Sequence, residues 1–416
     1  MSDTLIKKEP LNLRKVLKEN TMLLVLAAVM ILFEIFIRAT DNGSLFVPAN
    51  VNNIILQNSY VLILAAGMLL CILTGGNIDL SVGSVICLVG AIAATLIVNL
   101  HCNIYLSILI SLVIGTAIGA WHGAFIAYLH IPPFITTLSG MLLWRGVALI
   151  VLDGMTISPL PQKYLNLFSS YIPEVFLPDL TTKALSDTAA KAQLQGITLK
   201  VTMIVAILIC LAMIFFQIVS RKRKEHKGYS VPARGAFVAR LVIITAAVLV
   251  VSWLLGHHHG IPTVLVLLAV VIACYTYYTQ NTVPGRYLYA IGGNVKAAKL
   301  SGVNTDNVMM FAYTNMGFLS AVAALVCIAR FNSAAPTAGQ SYEMDAIGSC
   351  FIGGASAYGG TGTVSGAVIG AIFMGVLNNG MSILGVDMNW QRAVKGSVLL
   401  AAVIFDVVSK RKKSKK

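Results

Sequence analysis

A chain of 416 residues that is 57% apolar and only 11% charged lacks the polar surface that two or three water-soluble domains would need, so a soluble multidomain protein is excluded. The formal charge of +14 invites a nucleic-acid reading, but most Lys and Arg fall in clusters beside apolar runs, at 7–18, 221–240, 286–299 and 410–416. Such clusters are what the positive-inside rule places in the cytoplasm, against anionic membrane lipid, and nucleic acid is excluded as a partner.

Residues 1–20 form a basic lead with no small-residue cleavage site, so the first apolar run, 21–37, is expected to be an uncleaved anchor. A span takes about 20 mostly apolar residues, and runs of that kind follow near 55–74, 81–100, 104–128, 133–152, 198–220, 236–255, 261–280 and 308–329. The run at 346–358 is too short to cross as one regular helix and reads as a half-helix or re-entrant piece. Runs at 363–385 and 391–408, then the basic tail 409–416, complete the chain. The expected fold is an all-α integral membrane bundle of ten to twelve helices, with broken or re-entrant segments near 75–81 and 346–360. Both termini are expected in the cytoplasm, and that parity favours twelve passes. Residues 21–408 then form one transmembrane domain, with an extracytoplasmic loop at 153–197 and cytoplasmic loops at 221–235 and 281–307. Seven cysteines (71, 87, 102, 210, 274, 327 and 350) lie in or beside the apolar runs without C-x-x-C spacing, which points to packing rather than metal or disulfide chemistry.

Three constellations stand out along this chain. The first is TGGNIDLSVGS, 74–84, a polar, glycine-rich break between two apolar runs. Its backbone groups must be buried in protein or line a water-filled path. An ordinary turn in which Asp79 caps the next helix is the plain alternative. The second is glycine every four residues, Gly115, Gly119 and Gly123 in one span and Gly362, Gly366 and Gly370 in another, a spacing that clears one helix face for close packing, within the subunit or at a dimer seam. The third is the polar stretch 283–304, where Asn294 stands at a plausible N-cap and Gly302 follows Leu300. A short surface helix is expected at 294–300, suited to docking on a partner, a solvated loop being the default.

The segments GGNIDLSVGS, GRYLYAIGGNVKAAKLSGVN, PTAGQSYEMDAIGSCFIGGASAYGGTGTVSGAVIGA and VLNNGMSILGV resemble, in order and spacing, the permease subunits of bacterial ABC importers for monosaccharides. The resemblance covers about 52–406 and lies in the ribose, xylose and multiple-monosaccharide group, nearest to the multiple-monosaccharide or xylose type. The chain is extended by about two spans around 198–255 relative to the ribose type. The resemblance implies a non-catalytic transmembrane subunit of the plasma membrane with no cofactor of its own. ATP and Mg are used by a separate cytoplasmic ATPase, and an extracytoplasmic protein captures the sugar. A second permease copy, in a homodimer, completes the path. In agreement, no Walker A sequence occurs, and the LSG triplets at 138–140 and 300–302 lack the Gly-Gln of an ABC signature. The implied ATPase-coupling residues are Gly285, Arg286, Tyr289, Gly292, Gly293, Asn294, Ala297, Ala298, Leu300, Ser301 and Gly302, with Ala297 and Ala298 expected to face the ATPase. The candidate path or gate residues are Asn77, Asp79, Ser81, Asn378 and Asn379. The alternative is an ion-coupled secondary transporter, which needs intramembrane titratable groups. Glu34, Asp79, Arg145 and Lys395 are the candidates, Glu34 pairing locally with Arg38. Few polar and aromatic groups converge in the spans, so sugar affinity is expected to be weak.

Overall fold

The computed structural model describes residues 21–172, 174–184, 187–228 and 234–414. The basic lead 1–20, residues 229–233 of the basic loop and the last two residues of the tail lie outside the described residues. The first half comprises α1 (Thr21–Ala39), α2 (Pro48–Gln57), α3 (Ser59–Leu73), α4 (Val82–Ala94, prolonged by a π turn), α5 (Ile104–Ala127) and α6 (Pro133–Leu152). Next come α7 (Gln162–Phe168), β1 (Tyr171–Ile172), α8 (Pro178–Lys183), α9 (Thr188–His226), α10 (Arg234–Gly256) and β2 (Ile261–Pro262), which pairs antiparallel with β1. Then follow α11 (Thr263–Asn281), α12 (Val283–Gly293), α13 (Val295–Leu300), α14 (Thr305–Phe331), α15 (Tyr342–Ile352), α16 (Val364–Ile383) and α17 (Met388–Ser414).

The protein is all-α and polytopic, as expected. Among the described residues, ten helical stretches are long and apolar enough to cross a bilayer. The half-length α15 and the charge-flanked α17 account for the other two runs. Starts are set locally by side-chain oxygens that accept otherwise orphan amides: Asn103 from Tyr105 (2.9 Å), Asn304 from Asn307 (3.0 Å), Thr363 from Gly366 (3.0 Å).

Three loop expectations need correction. The stretch 153–197 holds α7, β1, α8 and the first turns of α9 rather than a plain loop. The expected basic loop at 221–235 is largely helix, because α9 runs on to His226. At 1.5 Å per residue its 39 residues measure roughly 58 Å, about twice the hydrocarbon core of ~30 Å. Arg and Lys are good helix formers and are favoured at a C-terminus by the helix dipole. Arg221 also pairs with Glu225 at 3.0 Å and lies 4.8 Å over the Phe237 ring. The tail likewise continues α17 to Ser414.

Contacts separate two compact units. Of the described residues, one takes in 21–25, 46–52, 171–172, 174–184, 187–228 and 234–262, the other 26–45, 53–170 and 263–414. The first contains α9 and α10, the two spans that the sequence marked as extra. The second is organised around α14, buried along most of its length. Its closest neighbour is α5, whose glycines lie inside this unit against α14. A Cβ on Gly119 would stand 2.5 Å from the Tyr313 carbonyl oxygen, and one on Gly115 2.5 Å from the Ala321 Cβ. Between apolar helices in lipid, this close fit replaces the hydrophobic drive available in water. Gly366 and Gly370 play the same part in α16, against the backbone of Ser349 and Gly353. Gly362 does not: it precedes α16 and packs on Leu69 and Ala355, so the second stripe is one residue shorter than expected.

Overpacking at such a crossing costs about 1–3 kcal/mol or more. Gly119→Val is therefore expected to lower the melting temperature of the detergent-solubilised protein by several degrees. Gly146→Ala, whose new methyl meets nothing within 4 Å, leaves it unchanged. Thermal-shift measurements on both variants check this.

Candidate functional site

The polar break joins α3 to α4 and is folded into protein. Thr74, Asp79 and Ser81 are buried, with Asp79 only 2% exposed. The Thr74 hydroxyl donates to the Cys71 carbonyl (2.7 Å), and the Asp79 Oδ1 accepts from the Ser81 hydroxyl (2.6 Å) and the Ser81 amide (2.8 Å). Asp79 is thus not the N-cap residue of the plain alternative, since Ser81 occupies that position and donates both bonds to Asp79. Asn77 is half-buried and its amide reaches Thr74 Oγ1 at 3.2 Å. Asn378 and Asn379 lie elsewhere. They sit in α16 some 14 residues from its start, or roughly 21 Å along the axis, so the structure does not bring them to the break.

What does meet the break is the glycine-rich turn between α15 and α16, together with α12. The Gly360 amide donates to the Leu73 carbonyl (3.1 Å). A Cβ on Gly76 would stand 2.0 Å from the Ala357 oxygen, and one on Gly292 1.9 Å from the Leu73 oxygen and 2.2 Å from the Gly360 nitrogen. Gly76 and Gly360 also hold positive φ (76° and 69°), a region that favours glycine. Three backbone segments therefore touch with no side chain between them. The Tyr289 hydroxyl donates to the Gly362 carbonyl (3.0 Å), and Asp406 of α17 accepts from the Ala357 amide (3.2 Å).

The expected 281–307 loop is two consecutive helices. α12 begins at Thr282, which caps Gly285 (3.1 Å) with Pro284 in the first turn, and α13 begins at Asn294, whose Oδ1 accepts from Ala297 (3.0 Å). α13 matches the expected 294–300 helix. Its faces do not both match: Ala297 is exposed, but Ala298 is 5% exposed and turned inward, while Leu300 is 90% exposed. Arg286 and Gly293 lie on α12, and Ser301 and Gly302 form the turn that ends α13. Gly285 is buried against Tyr278 and Thr279, so it packs internally and does not face a partner.

The intramembrane charges each have partners. Glu34 accepts from Arg38, Ser44 (2.8 Å) and the Leu45 amide (2.9 Å). Lys395 lies 3.0 Å from Asp345, and the Tyr60 hydroxyl donates to the same carboxylate at 2.9 Å. Tyr60 stacks on Tyr342, centroids 3.8 Å apart. This cluster fixes the first turn of α15 between α3 and α17. The Arg145 guanidinium donates to the carbonyls of Pro336 (3.3 Å) and Ala338 (2.6 Å). Sequence reasoning missed Tyr60, Glu343 and Arg392. The signal for the last two was spacing, since each sits two or three residues before a member of the ion pair on the same helix.

The family described as branched-chain amino acid transport system / permease component matches residues 50–174 and 192–403. The xylose transport system permease protein XylH of Escherichia coli is 36% identical over 393 residues, 94% of this chain and 93% of that protein. Its Haemophilus influenzae counterpart is 34% identical over 391 residues, 94% of this chain and 96% of that protein. The ribose import permease protein RbsC of Escherichia coli is 41% identical over 152 residues, 36% of this chain and 47% of that protein. No solved structure matches the chain.

Removing one partner of a buried ion pair costs about 3–5 kcal/mol, because it strands the other charge. Lys395→Met is accordingly expected to lower the melting temperature sharply. Adding Asp345→Asn to it should restore most of the loss, and a double variant no better than the single one would contradict the pairing.

Proposed function

The chain belongs to the permease family described as the component of branched-chain amino acid transport systems, and on that premise we propose that it is the membrane-spanning subunit of an ABC importer for a monosaccharide. A pentose is the substrate to test first, since full-length similarity is to xylose permeases. Energy comes from a cytoplasmic ATPase that binds ATP and Mg. An extracytoplasmic binding protein delivers the sugar, and two copies of this chain enclose the path. Both termini and the α12–α13 pair face the cytoplasm.

The observation that carries this reading is the placement of α13. Its exposed Leu300 and Ala297 offer an apolar contact beyond the spans, and α12 before it touches the membrane break through Gly292. An ATPase that shifts α13 thereby moves the break and the turn that closes on it, which is the requirement for coupling hydrolysis to a gate. The ion-coupled alternative is not favoured, because Glu34 and Lys395 are engaged in local pairs.

Proteoliposomes holding this chain with its ATPase and binding protein are expected to take up D-xylose or D-ribose only with internal ATP and without response to ionophores. Uptake by the permease alone under a proton or sodium gradient would refute the assignment. Leu300→Asp and Ala297→Trp should lower uptake and ATPase co-purification at least tenfold with normal membrane abundance. Lys299→Ala should change either by less than twofold, as a rim charge chiefly tunes association.

A further inference from the structure

α4, α6, α15 and α17 bound a cavity of about 290 Å³ that nothing in the sequence analysis identified. Its polar lining is Ser84, Arg145, Gln340, Ser341, Glu343 and Arg392, and its apolar lining is Met141 and Leu142. We propose that this cavity is a transit site for one monosaccharide ring, a proposal that rests on the importer reading above.

Three features argue for a neutral polyol. The first is size, since the volume lies at the lower edge of the about 300–1,000 Å³ typical of ligand sites, which suits a single sugar ring with some water. The second is hydrogen-bond logic. Sugar hydroxyls donate and accept, and the wall offers a carboxylate that only accepts, guanidinium groups that only donate, and an amide and hydroxyls that do both. The third is charge. The two arginines oppose a cation, Glu343 offsets part of their attraction for an anion, and the polar wall excludes an apolar solute. Arg145 is already committed in part to the carbonyls of Pro336 and Ala338, which fixes its plane and leaves its remaining N–H groups for a ligand.

The neighbouring structure holds this wall in place. Glu343 lies two residues before Asp345, which Lys395 and Tyr60 anchor, and Arg392 lies one helical turn before Lys395. The carboxylate reaches the wall only because position 83 is glycine: a Cβ there would stand 2.6 Å from Glu343 Oε2 and 2.1 Å from the Gly339 oxygen. Among the described residues no aromatic ring lines the cavity, so the stacking that gives sugar-binding proteins tight sites is not found there. A weak site is what passage requires, since a solute must leave as readily as it enters.

Two measurements on the reconstituted complex test this. In the first, Glu343→Gln and Arg392→Gln should lower the D-xylose transported per ATP hydrolysed at least tenfold, while hydrolysis stimulated by the sugar-loaded binding protein persists. In the second, saturating D-xylose should slow alkylation of Gln340→Cys by N-ethylmaleimide at least threefold, read at that residue by mass spectrometry, and inorganic phosphate should not. Wild-type transport ratios in both glutamine variants, alkylation unchanged by D-xylose, or protection by phosphate instead would each overturn the transit site. A wild-type complex with no ATP-dependent pentose uptake would overturn the importer reading itself, so the two failures are distinct.

Discussion

An unsatisfied backbone amide or carbonyl in hydrocarbon costs several kcal/mol, and two segments of this protein leave helical geometry between apolar helices. The break after α3 and the turn after α15 satisfy that demand on each other. Gly360 donates to Leu73 across the contact, while within the turn Ser356 and Thr361 bond backbone to backbone (3.0 Å) and Asp406 takes the Ala357 amide. Such an arrangement needs backbones at van der Waals distance, which glycine at 76, 292 and 360 permits. A third segment enters the same contact through Gly292, so the surface helices α12 and α13 are joined mechanically to the least regular part of the membrane domain.

Charge follows the same rule. A carboxylate or ammonium in low dielectric is tolerated when paired and hydrogen-bonded, and Asp345 has Lys395 and Tyr60 while Glu34 has Arg38, Ser44 and Leu45. These groups fix α15 and the outset of the chain rather than standing open to bind an ion. Glu343 and Arg392, which line the cavity, sit beside the fixed ones. Rigid support two or three residues away gives a loosely binding cavity a defined shape.

Much of this was legible in the sequence. Apolar run length marked the spans because each run is bounded by polar residues that cannot enter lipid. Four-residue glycine spacing marked one face of α5 for close packing, because it clears a helix face, and the structure supplies α14 as its partner. Asn294 marked the start of α13 through its capping chemistry. Other features were hidden for physical reasons. The helix α12 was not legible, since its Gly292 is set by contact with Leu73 and Gly360 and its Gly285 by packing on Tyr278 and Thr279, which are tertiary demands. The inward turn of Ala298 and the outward turn of Leu300 depend on how α13 lies on the bundle. The cap alternative for Asp79 arose because its own turn, in which Ser81 donates both bonds to the Asp79 carboxylate, resembles a cap in sequence.

The central claim is that the α12–α13 pair and the two irregular membrane segments move as one contact. Hydrogen exchange on the complex with its ATPase, followed through a titration with a non-hydrolysable ATP analogue, tests it most directly. Amides of 73–77 and 357–362 should change protection together, with the same midpoint as those of 292–300. A change confined to 292–300, with both membrane segments unaffected, would contradict the account.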